Sequence, residues 1–309
     1  MSRIVVAGSL NMDLVAVASR IPSPGETVLG REFFQAPGGK GGNQAHAAAR
    51  LGGSAAMLGR VGSDDLGRIL KANLQAAGCD VSQVKATPGS SGVALISIDD
   101  AGQNSILVAP GANALYAPAD FEEDAHVLVG AGLLLLQLEI PIETVTAAAA
   151  AGRRAGAKVI LDPAPAPEAL PAVLCRHVDI LTPNEVEAAQ LLGLEAERLS
   201  LAEAEALAAR LLATGVGAVI VKLGPQGCLV ADGGRMSQVA APAVDAVDTT
   251  AAGDVFNGAL AVALAEQATL AEACRFAVHA AALSVTRIGA QPSMPVRDEV
   301  DRWMSGPLA

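Results

Sequence analysis

"VLVGAGLLLLQLEIPIETVTAAAAAGRRAGAKVILDPAP", residues 127–165, holds the unit that decides the fold. Its first part, up to Glu139, is an apolar run that contains glycines and is short for a bilayer span, so it is expected to be a central strand. "KVILDPAP" (158–165) is a second, shorter strand pattern. Between them lies "IETVTAAAAAGRRAG" (142–156), an Ala-rich helix pattern. Apolar strands alternating with Ala-rich helices predict a parallel sheet covered on both faces.

The same rhythm continues outward. Towards the C-terminus, "VDILTPNEVEAAQLLG" (178–193) is a strand feeding a helix, and "LAEAEALAARLLATG" (201–215) is a helix. "AVIVKLGPQGCLVAD" (218–232) is a strand, tight turn and strand, and residues 252–286 are mostly helical. Towards the N-terminus, "RIVVAG" (3–8) and "AAMLGRVG" (55–62) are strands. "APGGKGGNQAHAAARLG" (36–52) is a Gly-rich loop entering a helix, and "DDLGRILKANLQAAG" (64–78) is a helix closed by Gly78. The expected fold is one α/β domain over residues 1–309, with a doubly wound, mainly parallel central sheet flanked by helices. Residues 13–36 and 92–112 break the rhythm with β-rich runs, the second around the hairpin signal "DDAGQN". They are expected to form a small β-sheet lid on the edge of the main sheet.

Composition narrows the function. Hydrophobic residues make up 51% of the 309 and aromatics only 2%, so the core must be Ala, Val, Leu and Ile. A net charge of −11 disfavours a nucleic-acid or anionic-membrane partner, while leaving room for a small anionic substrate on backbone amides. The four cysteines, Cys79, Cys175, Cys228 and Cys274, lie far apart and are expected to be buried, reduced thiols of a cytosolic protein. Asn11 and Asp13 interrupt the N-terminal apolar run, so no signal peptide is expected.

Three constellations carry the chemistry. In "GGKGGN" (38–43) four glycines let backbone approach a ligand closely. It is not a Walker A loop, because Lys40 is followed by Gly41, and it is not G-x-G-x-x-G. A plain loop before a helix is one reading. Contact with a polyol or phosphate is the other, with Asn43 and the Asp13 of "GSLNMD" (8–13) supplying the donors and acceptors that sugar hydroxyls need. In "LTPNEVEAAQ" (181–190), Asn184 fits an N-cap with Glu187 three residues on, or a water-mediated Mg²⁺ contact at a strand end. In "VDTTAAGDVFNGAL" (247–260), Gly253 permits a turn that aligns unpartnered amides at a helix start. Asp254 is expected to be ionised there, which suits a proton acceptor better than a cap.

Together these motifs resemble those of the ribokinase-like family of carbohydrate kinases, from about residue 4 to residue 300. "APGGKGGNQA" and "VDTTAAGDVFNGAL" are similar to the family's two signatures. "PGAN" (110–113), "LLQLE" (135–139), "DPAPA" (162–166) and "VTRIGAQPS" (285–293) extend the likeness. The resemblance implies ATP-dependent phosphorylation of D-ribose at the 5-hydroxyl, or of 2-deoxyribose, another pentose or a nucleoside with the same machinery. It implies Asp254 as catalytic base and the amides of Ala251, Ala252 and Gly253 as an anion hole. Asn11, Met12, Asp13, Gly39, Lys40, Gly41, Gly42, Asn43 and Glu139, with Asp254, correspond to the sugar set. Asn184, Val278 and the turn Lys222, Leu223, Gly224, Pro225, Gln226 and Gly227, together with Gly253 and Asp254, correspond to nucleotide contacts. Glu187 corresponds to the Mg²⁺ residue, and Asp248, Thr250, Ser284, Arg287, Gly289 and Ser293 to a K⁺ loop in which most ligands are carbonyls. It also implies a homodimer clasped through the lids. Lys222 departs from the pattern and could reach a phosphate or point to solvent. A sugar sensor on the same fold would have little reason to keep Asp254 behind Ala-Ala-Gly, and an NAD(P) oxidoreductase would need the missing G-x-G-x-x-G.

Overall fold

A computed structural model describes residues 1–196 and 198–306. The chain opens with β1 (Arg3–Ala7), β2 (Asn11–Ala18) and β3 (Gly30–Gly38), then α1 (Lys40–Arg50), β4 (Ala55–Gly62), α2 (Asp65–Ala76) and β5 (Asp80–Thr87). A hairpin follows, β6 (Gly92–Ile98) and β7 (Asn104–Ala109), then α3 (Pro118–Asp124) and β8 (Ala131–Leu136). Next come α4 (Ile142–Ala155), β9 (Lys158–Leu161), α5 (Ala172–Cys175), β10 (Ile180–Leu181), α6 (Glu185–Gln190) and α7 (Leu201–Leu212). The chain finishes with β11 (Ala218–Lys222), β12 (Cys228–Asp232), β13 (Arg235–Val239), α8 (Ala252–Ala265), α9 (Leu270–Ser284) and α10 (Arg297–Ser305).

Nine strands form the main sheet in the order β13-β12-β11-β10-β9-β8-β1-β4-β5, parallel except at β11–β12 and β12–β13. The leucine run does form a central strand, β8, between β1 and β9. Its side chains alternate between two cores: Leu133 and Leu135 join one, Leu134 and Leu136 the other. That is why the run has no polar face. Against the first core pack α1, α8 and α9, and against the second α4 and α7. Helix α8 is buried almost throughout because it lies between α1 and α9. A Cβ on Gly258 would sit 2.7 Å from the Ala47 Cβ, so α1 and α8 meet at near-backbone distance.

The β-rich segments form a separate four-stranded sheet, β3-β2-β6-β7. It does not extend an edge of the main sheet, as the sequence had led us to expect. The chain enters it from the central β1 and again from β5, and β2 pairs in parallel with β6 from Asn11 opposite Gly92. Strand β7 is exposed along its length. Phe33, Phe34, Leu95, Ile106, Leu107 and Val108 are all solvent-exposed on this sheet. All four cysteines are buried and free. Among the described residues no helix is long and apolar enough to cross a membrane.

Candidate active site

Helix α8 begins at Ala252 behind Ala251, a non-glycine residue held at φ 59°. That left-handed residue turns the chain sharply into the helix, at a cost of about 1–2 kcal/mol. The Ala252 N–H is used by the Thr249 carbonyl at 3.2 Å, so it is not available for the anion hole assigned to it from the resemblance. The amides of Gly253 and Asp254 have no backbone acceptor among the described residues. The Asp254 side chain is buried, accepting from Asn43 Nδ2 at 2.9 Å and Gln44 Nε2 at 3.1 Å. Burial pushes its carboxyl up to about 6, against the pull of the Lys40 ammonium. It is therefore mostly ionised at neutral pH, with a pKa above the ordinary carboxylate range.

On one side of Asp254 lies a polar nest. Glu139 Oε2 accepts from Ser9 Oγ at 2.5 Å and from the Lys40 amide at 3.0 Å, with Asn11 Nδ2 3.5 Å away. Asn113 donates to Asn11 Oδ1 at 2.8 Å and so fixes that amide. Burial, then the charges of Glu139 and Asp254, raise Asp13 to about 7. Burial works against the Lys40 ammonium, but Asp254, Asp162, Glu139 and Glu187 outweigh it and raise its pKa. Met12 does not belong to this set: its side chain is in the hydrophobic core. Several of the glycines have a packing role. A Cβ on Gly41 would lie 2.7 Å from the Gly8 carbonyl carbon and the Ser9 amide, and one on Gly39, at φ 82°, 2.6 Å from the Asn11 amide. They let α1 dock on the β1–β2 turn, whereas Gly42 has room around it.

On the other side opens a cleft of about 780 Å³. Lys40, Asp162, Asn184, Glu187, Lys222 and Asp254 supply its polar lining, with Gly224, Pro225, Gly227 and Gly253. Its apolar lining includes Val186, Ala241, Pro242, Ala243, Val244, Ala246, Phe256, Val278, Ala281, Ala282 and Val285. Leu223 points into the core instead, and Gln226 is absent from the lining. Asn184 does cap α6: its side chain accepts from the Glu187 amide and Glu187 returns the bond, both at 2.8 Å. Burial raises the Glu187 carboxyl, Lys222 opposes it and Asp162 adds to it. Lys222 lines the cleft but is held by an ion pair: its Nζ donates to Asp162 Oδ1 at 2.9 Å.

A helix-start carboxylate between a polar nest and a cleft can accept a proton from an alcohol on one side while a nucleotide fills the other. Residues 1–297 match the model of the pfkB family carbohydrate kinases. The chain belongs to the pfkB family. It is 41% identical to the ribokinase of Bacillus subtilis over 306 residues, 99% of this chain and 100% of the relative. It is 36% identical to the deoxyribokinase of Salmonella typhi, covering 98% of each. The structure of Arabidopsis thaliana ribokinase complexed with ribose and ATP superposes with a TM-score of 0.93 at 35% identity, covering 99% of each chain.

Beside α8 lies the loop to which the resemblance to pfkB kinases assigns a cation. Asp248 Oδ1 accepts the Thr250 amide at 2.9 Å and Oδ2 the Gly289 amide at 2.8 Å, bonds that lower its pKa despite partial burial. Its carboxylate staples two loop segments together. The Ser284 and Ser293 hydroxyls donate locally to the Ala281 and Ala290 carbonyls, and Arg287 is paired with Glu299. The side chains are thus committed, and an ion here would meet backbone carbonyls.

Two residues of the site, Gln44 and Asp162, are not singled out by the sequence. Gln44 donates both to Asp254 and, at 3.0 Å, to Asp162 Oδ2, while Gln137 donates to its carbonyl oxygen at 2.6 Å. Asp162, at the carboxyl end of β9, lines the cleft. In the sequence Gln44 is one polar residue inside a signature, and Asp162 one acid before a proline. Both lie inside quoted motifs, "APGGKGGNQA" and "DPAPA", but nothing in those motifs marks either residue as a partner of the other.

Proposed function

We propose that the chain transfers the γ-phosphoryl group of ATP to the 5-hydroxyl of D-ribose, giving ribose 5-phosphate and ADP. The observation that carries this reading is Asp254, tuned near neutrality and set between the polar nest and the cleft. Ribose sits against Asn11, Asp13, Lys40, Asn43 and Glu139, with the backbone of Gly39, Gly41 and Gly42 beneath. ATP lies in the cleft, its base on the Ala-Val wall and its phosphates towards Asn184, Lys222, the 224–227 turn and Lys40. The 5-oxygen attacks the γ-phosphorus and the bond to the bridging oxygen of ADP breaks. The hydroxyl proton passes to Asp254. The free amides of Gly253 and Asp254 stabilise charge on the transferring group. Catalysis here is positioning and electrostatics rather than covalent chemistry.

Glu187 on the cleft wall offers carboxylate oxygens, with the charge of Asp162 nearby, that would suit a hydrated magnesium ion carried with ATP. Bound Mg²⁺ would neutralise phosphate charge. The carbonyls of the Asp248–Thr250 and Ser284–Ser293 segments fit a potassium ion that would order the loop behind α8. The second sheet, residues 13–36 and 92–112, acts as a lid that excludes water from the sugar. Two lids clasp through one face of that sheet, the face carrying Phe33, Leu95 and Leu107, to form a homodimer that covers this exposed apolar surface. Four buried free thiols suit the cytoplasm.

The test is ADP release with ribose, 2-deoxyribose, fructose and adenosine as acceptors. Ribose should give the highest kcat/KM. A higher value for 2-deoxyribose would make the chain a deoxyribokinase, and turnover with adenosine alone a nucleoside kinase.

A further inference from the structure

We propose that Lys222 is a catalytic residue that leaves Asp162 for the transferring phosphoryl group, a role that rests on the cleft being the ATP site. Lys222 ends β11 at the carboxyl edge of the parallel sheet, where open α/β sheets hold ligands. Its backbone is clamped: the amide donates to the Pro183 carbonyl at 2.8 Å and the residue bridges to Asn184. The side chain then runs along the cleft wall. Its Nζ lies 2.9 Å from Asp162 Oδ1 and 3.3 Å from the point that a Cβ on Gly253 would occupy. The ammonium therefore lies over the first turn of α8, whose Gly253 and Asp254 amides have no backbone acceptor among the described residues.

This is an unusual address for a merely structural ion pair. Its carboxylate is 3% exposed but its lysine 14%, and the pair forms part of the wall of an open cleft. Attraction within an ion pair is screened least where water is excluded, and this pair borders a cleft that admits water. Here a triphosphate entering the cleft offers the ammonium a denser anion within a few ångströms. A lysine on its four-carbon stem can exchange one anion for the other without losing a partner. Asp162 need not move when it does so. Its second oxygen is held by Gln44, the amide that also holds Asp254. Lys222 forms no bond and gives up no hydrogen: the phosphorus–oxygen bond to ADP breaks, the bond to the sugar oxygen forms, and the proton goes to Asp254. Gly253 has no side chain, which leaves the ammonium room over the turn.

The experiment compares wild type with Lys222→Met, Lys222→Arg and the double variant Asp162→Asn with Lys222→Met. Thermal melts, turnover of ATP with ribose, and calorimetric binding of ADP and of a non-hydrolysable ATP analogue are read for each. Lys222→Met should lower kcat by about 10²-fold or more, the scale for losing one charge-stabilising donor. KM for ribose and ADP affinity should change by less than about threefold, and affinity for the triphosphate analogue should fall about tenfold. Lys222→Arg should recover part of kcat. The double variant leaves neither charge unpaired, so it should regain the Tm lost by Lys222→Met but not its kcat. Recovery of kcat in the double variant, or equal loss of ADP and analogue affinity, would overturn the proposal. So would a folded Lys222→Met with near wild-type kcat. A wild-type protein that binds no ATP, or turns none over with any of the sugars, would sink the ATP-kinase reading itself, independently of Lys222.

Discussion

Replacing Asp254 with asparagine is the sharpest perturbation of the proposed chemistry. Both carboxylate oxygens receive a side-chain N–H, from Asn43 and from Gln44. An asparagine must turn its own NH₂ towards one of those donors, so one charge-assisted bond is lost, about 1.5–3 kcal/mol. That loss is offset by removing a buried charge raised to about 6. The variant should fold and still bind ribose, because the other members of the polar nest are untouched. Catalysis should suffer far more. General-base help is worth about 10²–10⁴-fold, or roughly 2.7–5.4 kcal/mol at 1.36 kcal/mol per decade. The assay is ADP release with saturating ribose from pH 5 to 9, beside ribose calorimetry. Wild-type kcat should fall about tenfold per pH unit below 6, where the base becomes protonated. The variant should lack that limb. A folded, ribose-binding Asp254→Asn with kcat within tenfold of wild type, or with the same acid limb, would refute the base assignment.

Stability should move with pH in the opposite sense to that of a protein held by ionised carboxylates. Asp13 and Asp254 rise from 3.8 to about 7 and about 6, so their stabilising contribution is full below about pH 4 and is lost as pH climbs through 6 to 7. Thermal melts should show Tm falling between about pH 4 and 7 and levelling above that, and Asp13→Asn should flatten that slope. Gln44→Leu should cut kcat by tenfold or more and shift the acid limb of the rate profile, with Gln44→Glu failing to restore it, since the amide hydrogens face two carboxylates. Gly41→Ala places a methyl 2.7 Å from the Gly8 backbone and should cost about 1–3 kcal/mol in chemical denaturation. Phe33→Glu combined with Leu107→Lys, both on the exposed sheet, should give a monomer by light scattering if the lids clasp.

The main sheet was legible because its strands are buried on both faces and its helices are Ala-rich, a pattern that needs no long-range knowledge. Strands β5 and β13 escaped notice because they are edge strands: "DVSQVKAT" and "RMSQV" carry polar residues that look like loop. The detached sheet was recognised by its broken rhythm, but its attachment was not, because the pairing of Asn11 with Gly92 leaves no local trace. In the site, Asp254 declared itself through its own flanking residues. Gln44 could not, since its carboxylate partner is 210 residues away. The glycines of "GGKGGN" were ambiguous for a physical reason. Both close ligand approach and close helix docking demand the absence of a Cβ, and only the packing of Gly39 and Gly41 on the β1–β2 turn tells them apart. The Ala-Val wall of the cleft is composition without a motif.

The contact between Ala47 and Gly258 sets a gauge for the reaction. Asn43 and Gln44 stand about one turn before it on α1, and Asp254 one turn before it on α8. The two helices are already as near as main chains permit, so the gap between the Asn43 and Gln44 amides and the Asp254 carboxylate is metered by a hard stop. Tolerance at the reacting atoms is thus a machining property of the scaffold, fixed four residues away from any group that does chemistry.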